Sequence, residues 1–376
     1  MLNRVLITGG AGFIGSSVAI ALAKQSYEVR VLDSLSPQIH GLDGYSPTRL
    51  AVDRVAELIY ADVRNTDALA AALKGVNAVI HLAAETGTGQ SMYEVGKYAD
   101  VNIIGTSRLL DLLSSSNRME RIIVASSRAI YGEGKYVCGK DGPVYPDKRQ
   151  ESDMRAGLFD PRCPHCQGVL RLVPTDERSQ LNPTSVYGIT KQVQEQLWLL
   201  CGETLGIPAI ALRYQNVYGP GQSLSNPYTG ILSIFSTRMR SGGDINVFED
   251  GKESRDFVYI DDVVAATIAA LEAPSNVTGA FNIGSGQPVD VLKITTMLKE
   301  LLGVGGNIQV TGNYRSGDIR HNFADIQRAR DLLGWKPEVK FEEGLRRFIS
   351  WVESQRVAVD NYDLALNELK SRGMLK

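Results

Sequence analysis

The stretch that most constrains this chain is Val5-Leu6-Ile7-Thr8-Gly9-Gly10-Ala11-Gly12-Phe13-Ile14-Gly15. An apolar, β-prone run enters a glycine-rich turn, and Ser16–Gln25 then repeats apolar residues at helical spacing, so strand, tight turn and helix are predicted. Gly9 permits the turn, Gly12 lets backbone N–H groups of the turn and of Phe13 and Ile14 approach a pyrophosphate, and Gly15 lets helix and strand pack closely. A glycine turn can also serve packing alone. The next strand, Glu28–Asp33, weighs against that reading. It ends in an acid about twenty residues on, where a carboxylate accepts from adenosine ribose hydroxyls. Asp33 would repel a 2′-phosphate, which favours NAD over NADP as cofactor.

The 376 residues and 43% hydrophobic content suffice for a large α/β domain plus a smaller companion. A formal net charge of −2 offers no bulk attraction to nucleic acid or a membrane surface, so neither partner is expected. No run approaches the roughly 20 apolar residues of a membrane span, and the sequence opens directly on the first strand, so a cytoplasmic protein is expected.

Strand and helix patterns alternate after Asp33. Ser34–Val52 is rich in Ser, Pro and Gly and reads as a loop. Strand Ala56–Tyr60 delivers Asp62 and Val63 at its carboxyl end, with Asp62 suited either to the adenine amino group or to helix N-capping. Helix Thr66–Leu73 precedes strand Ala78–Leu82, followed by Ala83 and Ala84, whose small side chains admit a cofactor. A long helix, Tyr98–Ser115, carries Asn102. Strand Arg121–Ala125 runs into Ser126 and Ser127, and Ser185–Cys201 and Ile207–Leu212 read as a helix and a further strand. Such alternation predicts an α/β fold with a Rossmann-type doubly wound parallel sheet and a smaller C-terminal substrate-binding lobe. The expected boundaries are 1–222 for the dinucleotide domain, with an irregular insertion at 133–181, then 223–352 as mostly the lobe and 353–376 for a charged helical tail.

Tyr187 and Lys191 stand at i and i+4 on one helix, so an ammonium can sit beside a phenol and lower its pKa. That makes Tyr187 a usable base. Ser127, at the end of a neighbouring strand, can bond the same substrate oxygen and orient the proton. The plainer reading is a surface pair.

Taken together, Gly9-x-x-Gly12-x-x-Gly15, Asp33, Asp62-Val63, His81-Leu82-Ala83-Ala84, Asn102, Ser127, Tyr187-x-x-x-Lys191 and Arg213-Tyr214-x-Asn216 resemble the extended short-chain dehydrogenases/reductases, specifically nucleotide-sugar epimerases and dehydratases. The likeness continues through Arg255–Asp262, Arg315–Asp318 and Leu333–Pro337. It implies that Leu82 and Asn102 flank the cofactor, and that Asn216, Arg255 and Arg315 hold a nucleotide-sugar's pyrophosphate with Asp318 near the nucleotide. It further implies a homodimer through the helices around Asn102 and Tyr187. Dehydratases of this family carry acidic residues after the active-site hydroxyl, where this chain has Arg128 and Ala129, and the cysteine of 3,5-epimerising reductases is absent near Ser127. C4 epimerisation with retained NAD is therefore expected, with an NAD(P)H-dependent 4-keto-sugar reductase or a UDP-hexose 4-epimerase as alternatives. Gln215 stands where a common aromatic would.

Cys163-Pro164-His165-Cys166 looks like one knuckle of a zinc ribbon, and Cys138 with Asp141 repeats its spacing. A structural zinc held with or without His165, a metal-free remnant and a disulfide all fit this pattern. The insertion, together with Glu85–Glu94, resembles a subgroup acting on dTDP-6-deoxyhexoses such as dTDP-L-rhamnose. On that likeness Thr86, Thr88 and Ser91 line the sugar pocket.

Overall fold

The computed structural model describes residues 3–114, 119–228, 230–315 and 317–376. Its frame is a seven-stranded parallel sheet built from β1 (Arg4–Thr8), β2 (Glu28–Asp33), β3 (Glu57–Tyr60), β4 (Ala78–His81), β5 (Arg121–Ser127), β6 (Ala209–Tyr214) and β7 (Gly279–Ile283), in the order β7-β6-β5-β4-β1-β2-β3. The interior strands β1, β4, β5 and β6 are almost wholly buried, because helices cover both faces. Val5, Ile7, Val31 and Ile80 pack with Val18 and Leu22 on one face, while Leu6, Leu32, Val79 and Val124 pack with Leu109 and Trp198 on the other. Strand order reverses between β1 and β4. A doubly wound sheet opens its ligand crevice at the carboxyl ends of such a pair.

Helix α1 (Phe13–Lys24) follows the glycine turn, and α2 (Val186–Leu205) starts at Ser185, whose Oγ accepts from the Gly188 N–H at 3.1 Å. The helix expected at Tyr98–Ser115 runs as Val95–Tyr98, a π-helical stretch Ala99–Ile104, and Gly105–Leu113; Ser115 lies outside the described residues, as does Ser316 of the Arg315–Asp318 motif.

Four expectations need revision. Ser34–Val52 is not a bare loop, since Pro37–His40 and Pro47–Val52 are short helices, the second capped by Ser46. The 222/223 boundary is crossed in both directions. Asn216–Tyr218 pairs with Ser254–Tyr259 in a sheet beyond it, and β7, from the expected lobe, returns to the edge of the main sheet beside β6. The insertion holds three antiparallel strands, Tyr136–Cys138, Gly142–Val144 and Leu170–Leu172, plus a short helix Glu151–Arg155. Three-residue strands are too short to show the alternation by which strands are recognised. Finally, the tail is no appendage. Helix α3 (Tyr362–Ser371) packs its buried Tyr362 into the lobe's core with Leu232, Phe235 and Phe348.

Candidate active site

Three glycines of the first turn differ in their steric setting. Gly9 has φ +69°, and a Cβ there would meet Ala83 N at 2.7 Å. A Cβ on Gly15 would lie 2.4 Å from Gly9 O and 2.6 Å from Gly10 Cα, so strand, turn and helix close up only around glycine. Gly12 differs: its Cβ would find protein no nearer than 3.4 Å, and the residue lines a cavity. No side chain caps α1 at Gly12, which leaves first-turn N–H groups for a ligand. Asp33 stands at the carboxyl end of β2, accepting from the N–H groups of Ala11 (3.0 Å) and Leu35 (2.9 Å).

The cavity measures about 1050 Å³ and is continuous from these residues across the switch point into the lobe. Gly9, Gly12, Phe13, Ile14, Gly15, Asp33, Asp62, Val63, Leu82, Ala83 and Ala84 line one end, and Asn216, Arg255, Arg315 and Asp318 the other. Thr86, Thr88, Ser127, Tyr187 and Lys191 also line it. Residues from nine separated segments thus reach one space.

Asn102 is the exception, and the expectation that it contacts the cofactor is corrected. It is fully buried and off the cavity wall; its Oδ1 accepts from Glu85 N (2.8 Å) and its Nδ2 donates to Glu85 O (3.1 Å) and Thr190 Oγ1 (3.0 Å). It fastens the segment after β4 to α2. Ser91 is likewise buried, donating to Thr88 O at 2.6 Å and accepting from Tyr187 N at 3.0 Å. It ties the loop to Tyr187 instead of lining the pocket. Asp62 lines the cavity but does not cap the next helix, a task done by Asn65. Arg64 donates to both Asp62 oxygens at 2.9 Å, and these bonds hold the Asp62 carboxyl below its usual range.

The electrostatics around Tyr187 also depart from expectation. Burial pushes its phenol up, while Ser127 and Arg128 pull it down. Lys191 instead donates to Gln194, which donates onward to Thr106 Oγ1 at 2.7 Å. Burial drives the Lys191 ammonium down to about 7, with Glu195 partly opposing. His81, stacked on Trp198 and held to Thr8 Oγ1 at 2.6 Å, is pushed down to about 3 by burial and is neutral. It lies off the cavity wall, its Nε2 3.0 Å from Gln194 Nε2.

In the lobe, Arg255 is pinned by the carbonyls of Ser254 (2.8 Å), Arg320 (2.8 Å) and Ile319 (2.7 Å), and Arg315 by Asp318 Oδ2 (2.8 Å). Arg213 does not reach the cavity; it pairs with buried Glu195 and donates to Tyr131 Oη at 2.6 Å. Sequence reading missed the tail. Tyr362, Ala365, Leu366 and Leu369 of α3 wall the cavity, and Tyr228 Oη fastens that helix through Glu368 at 2.6 Å. It also left Arg128 without a role beyond marking a departure. The Arg128 guanidinium lines the cavity with no hydrogen bond or ion pair to any described residue; burial and Arg255 act against its charge, and Asp318 and Glu133 partly oppose them. Cys138, Cys163 and Cys166 lie away from the cavity, in the insertion, as free thiols gathered around Asp141; His165 is exposed and outside that cluster.

Among the described residues no helix is long and apolar enough to cross a membrane. Over 359 residues the chain is 40% identical to a dTDP-L-rhamnose 4-epimerase of Burkholderia thailandensis, covering 94% of this chain and 96% of that protein. Its fold matches the UDP-glucose 4-epimerase of Thermotoga maritima, solved with UDP-glucose, with a TM-score of 0.75 and 30% identity over 93% of this chain and 99% of the other. The UDP-glucuronic acid 4-epimerase of Bacillus cereus, solved with UDP-glucuronic acid and NAD, matches with a TM-score of 0.74 and 27% identity over 93% and 99% of the two chains. The family model for NAD dependent epimerases and dehydratases matches residues 5–162 and 163–284, and this chain belongs to that family.

Proposed function

We propose that the protein is an NAD-dependent nucleotide-sugar 4-epimerase acting on a dTDP-6-deoxyhexose such as dTDP-L-rhamnose. One observation carries the reading: Ser127, Tyr187 and Lys191 line the same cavity as both the glycine turn and the Asn216–Arg255–Arg315 wall, so a dinucleotide and a nucleotide-sugar can meet there. The uncapped first turn of α1, the room at Gly12 and the carboxylate of Asp33 fit NAD. When bound, NAD supplies reversible acceptance of the C4 hydrogen with its electron pair.

The residues of the chain do the rest. Tyr187 takes the proton of the C4 hydroxyl and returns it after the sugar has presented its other face. Ser127 fixes the oxygen, and its hydrogen bond together with the Arg128 charge favours the phenolate, while Lys191 lies one turn along α2, bonded to Gln194. Asn216, Arg255 and Arg315 hold the diphosphate, guanidinium groups giving directional bonds to its oxygens. Arg128 and Ala129, next to Ser127, bring no carboxyl group to remove a C5 proton, so elimination of water has no acid–base pair.

The dTDP-6-deoxyhexose is supported by 40% identity to the Burkholderia protein, against 30% and 27% to the UDP-sugar epimerases. A UDP-hexuronate is the second reading, favoured by Arg128, whose cavity-lining guanidinium has no hydrogen bond or ion pair to a described residue and suits a carboxylate beside C4. A homodimer through α2 and the Val95–Leu113 helix is supported by exposed Val95, Ile104, Ile189 and Leu200 on those helices, and light scattering on the eluting peak would test it.

The experiment is turnover without added NAD on dTDP-L-rhamnose, UDP-galactose and UDP-glucuronate, with C4 configuration read by NMR. A C4 epimer of dTDP-L-rhamnose is expected. An epimer from UDP-glucuronate alone establishes the second reading. No epimer from any, with NADH accumulating once NAD is added, refutes the epimerase and leaves net oxidoreduction.

A further inference from the structure

Cys138 and Asp141 bracket the turn between Tyr136–Cys138 and Gly142–Val144, and Cys163 and Cys166 bracket a second turn ahead of Leu170–Leu172. The two turns face each other. Cys138 Sγ lies 3.3 Å from Asp141 Oδ2 and 3.4 Å from Cys166 Sγ, and Cys163 Sγ lies 3.2 Å from Asp141 Oδ2. All four ligand atoms lie within 4.8 Å of one another. A disulfide would need sulfurs about 2.05 Å apart. Thiolates about 2.3 Å from one zinc ion, at tetrahedral angles, stand about 3.8 Å apart.

We infer that Cys138, Asp141, Cys163 and Cys166 bind one structural zinc ion. Three sulfur ligands select a soft or borderline cation over magnesium or calcium, and four protein ligands close the site to substrate. Binding releases the three thiol protons, leaving thiolates on the metal. The Lys140 N–H donates to Cys138 Sγ at 3.4 Å, as the turn of a metal knuckle does.

Packing gives an independent reason. The three strands have three residues each, and their buried core consists of Tyr136, Cys138, Val144 and Cys163. So small a core does not hold a sheet without a staple.

The insertion in turn braces the lobe end of the cavity. Asp160, three residues before Cys163, accepts from Arg320 Nε at 2.8 Å. Arg149 bridges Glu249 (2.8 Å), Phe159 O (3.0 Å) and Asp318 O (2.9 Å). These bonds hold the segment 318–320, whose Ile319 and Arg320 carbonyls pin Arg255. Loss of zinc therefore loosens the diphosphate wall and leaves the glycine turn alone.

The test begins with elemental analysis of the full chain purified without chelator. About one zinc per chain is expected, and cobalt substituted for it shows the thiolate charge-transfer and d–d bands of a tetrahedral centre. Asp141→Asn, at an exposed position, should weaken zinc at least about tenfold in competition with a chelator. Cys163→Ser should abolish binding, and Cys201→Ser, on α2 away from the cluster, should leave it unchanged. Metal-free protein with reactive thiols, a Cys138–Cys166 disulfide by mass spectrometry, or undiminished zinc in both ligand variants would overturn the site. Stripping zinc should raise KM for the sugar nucleotide severalfold at constant NAD content, a readout that rests on the epimerase reading. Metal content needs no turnover. Zinc-loaded protein inert on every sugar would therefore refute the function and leave the site standing.

Discussion

Lys191 should cost the folded protein stability, and Lys191→Met should recover it. The ammonium is buried with its hydrogen bond to Gln194, and its proton affinity falls from the ordinary 10.5 to about 7. At about 1.36 kcal/mol per tenfold change in affinity, that fall corresponds to about 5 kcal/mol. Below pH 7 both folded and unfolded chains carry the proton, so the whole cost is present. Between pH 7 and 10.5 the unfolded chain holds a proton that the folded one lacks, so wild-type stability rises with pH. Methionine keeps the volume and removes the charge, but leaves the Gln194 carbonyl without its donor, a loss of about 1–3 kcal/mol. The variant should therefore exceed wild type by about 3 kcal/mol at pH 6 and by little at pH 9. Urea titrations of NAD-stripped protein at pH 6, 7, 8 and 9 measure this directly. A wild type at least as stable as the variant at pH 6, or a gap that does not change with pH, would refute the reasoning. Turnover should move the other way, falling at least about 100-fold in the variant.

Three further outcomes are expected. Tyr187→Phe should cut kcat by about 10²- to 10⁴-fold with little change in sugar-nucleotide affinity, measured by calorimetry against turnover. Gly15→Ala places a methyl 2.4 Å from Gly9 O and should abolish NAD retention, whereas Gly12→Ala, with protein no nearer than 3.4 Å, should fold normally and weaken NAD alone. Thermal melts with and without NAD separate the two. Truncation after Gln355 removes the α3 wall and should raise KM for the sugar nucleotide while purified NAD content stays constant.

The parts of this protein legible in its sequence are those in which one short segment contains the whole physical reason. The strand, turn and helix around Gly9, Gly12 and Gly15 are local, and so is the i, i+4 placement of Tyr187 and Lys191 on α2. The cysteine cluster was half visible, because the x-x spacing recurs at Cys138–Asp141, but its closure depends on two turns meeting across the sheet. The rest lies in pairings between residues far apart in sequence. Asn102 has the chemistry of a ligand-binding amide, and only its bonds to Glu85 and Thr190 show that it is spent on structure. Arg255 depends on carbonyls from another segment, and α3 becomes part of the site through Glu368 and Tyr228. Composition makes that tail look like a solvated helix, and its buried face is three residues, Tyr362, Ala365 and Leu369.

In the proposed reaction C4 is inverted by removal and return of its own hydrogen. Epimerisation of dTDP-L-rhamnose bearing deuterium at C4, run in ordinary water without added NAD and followed by NMR, measures it most directly. The C4 epimer should keep the deuterium at C4. Replacement of the label by solvent hydrogen in step with epimerisation would show proton abstraction at carbon and contradict the assignment of Tyr187, Ser127 and the dinucleotide cavity.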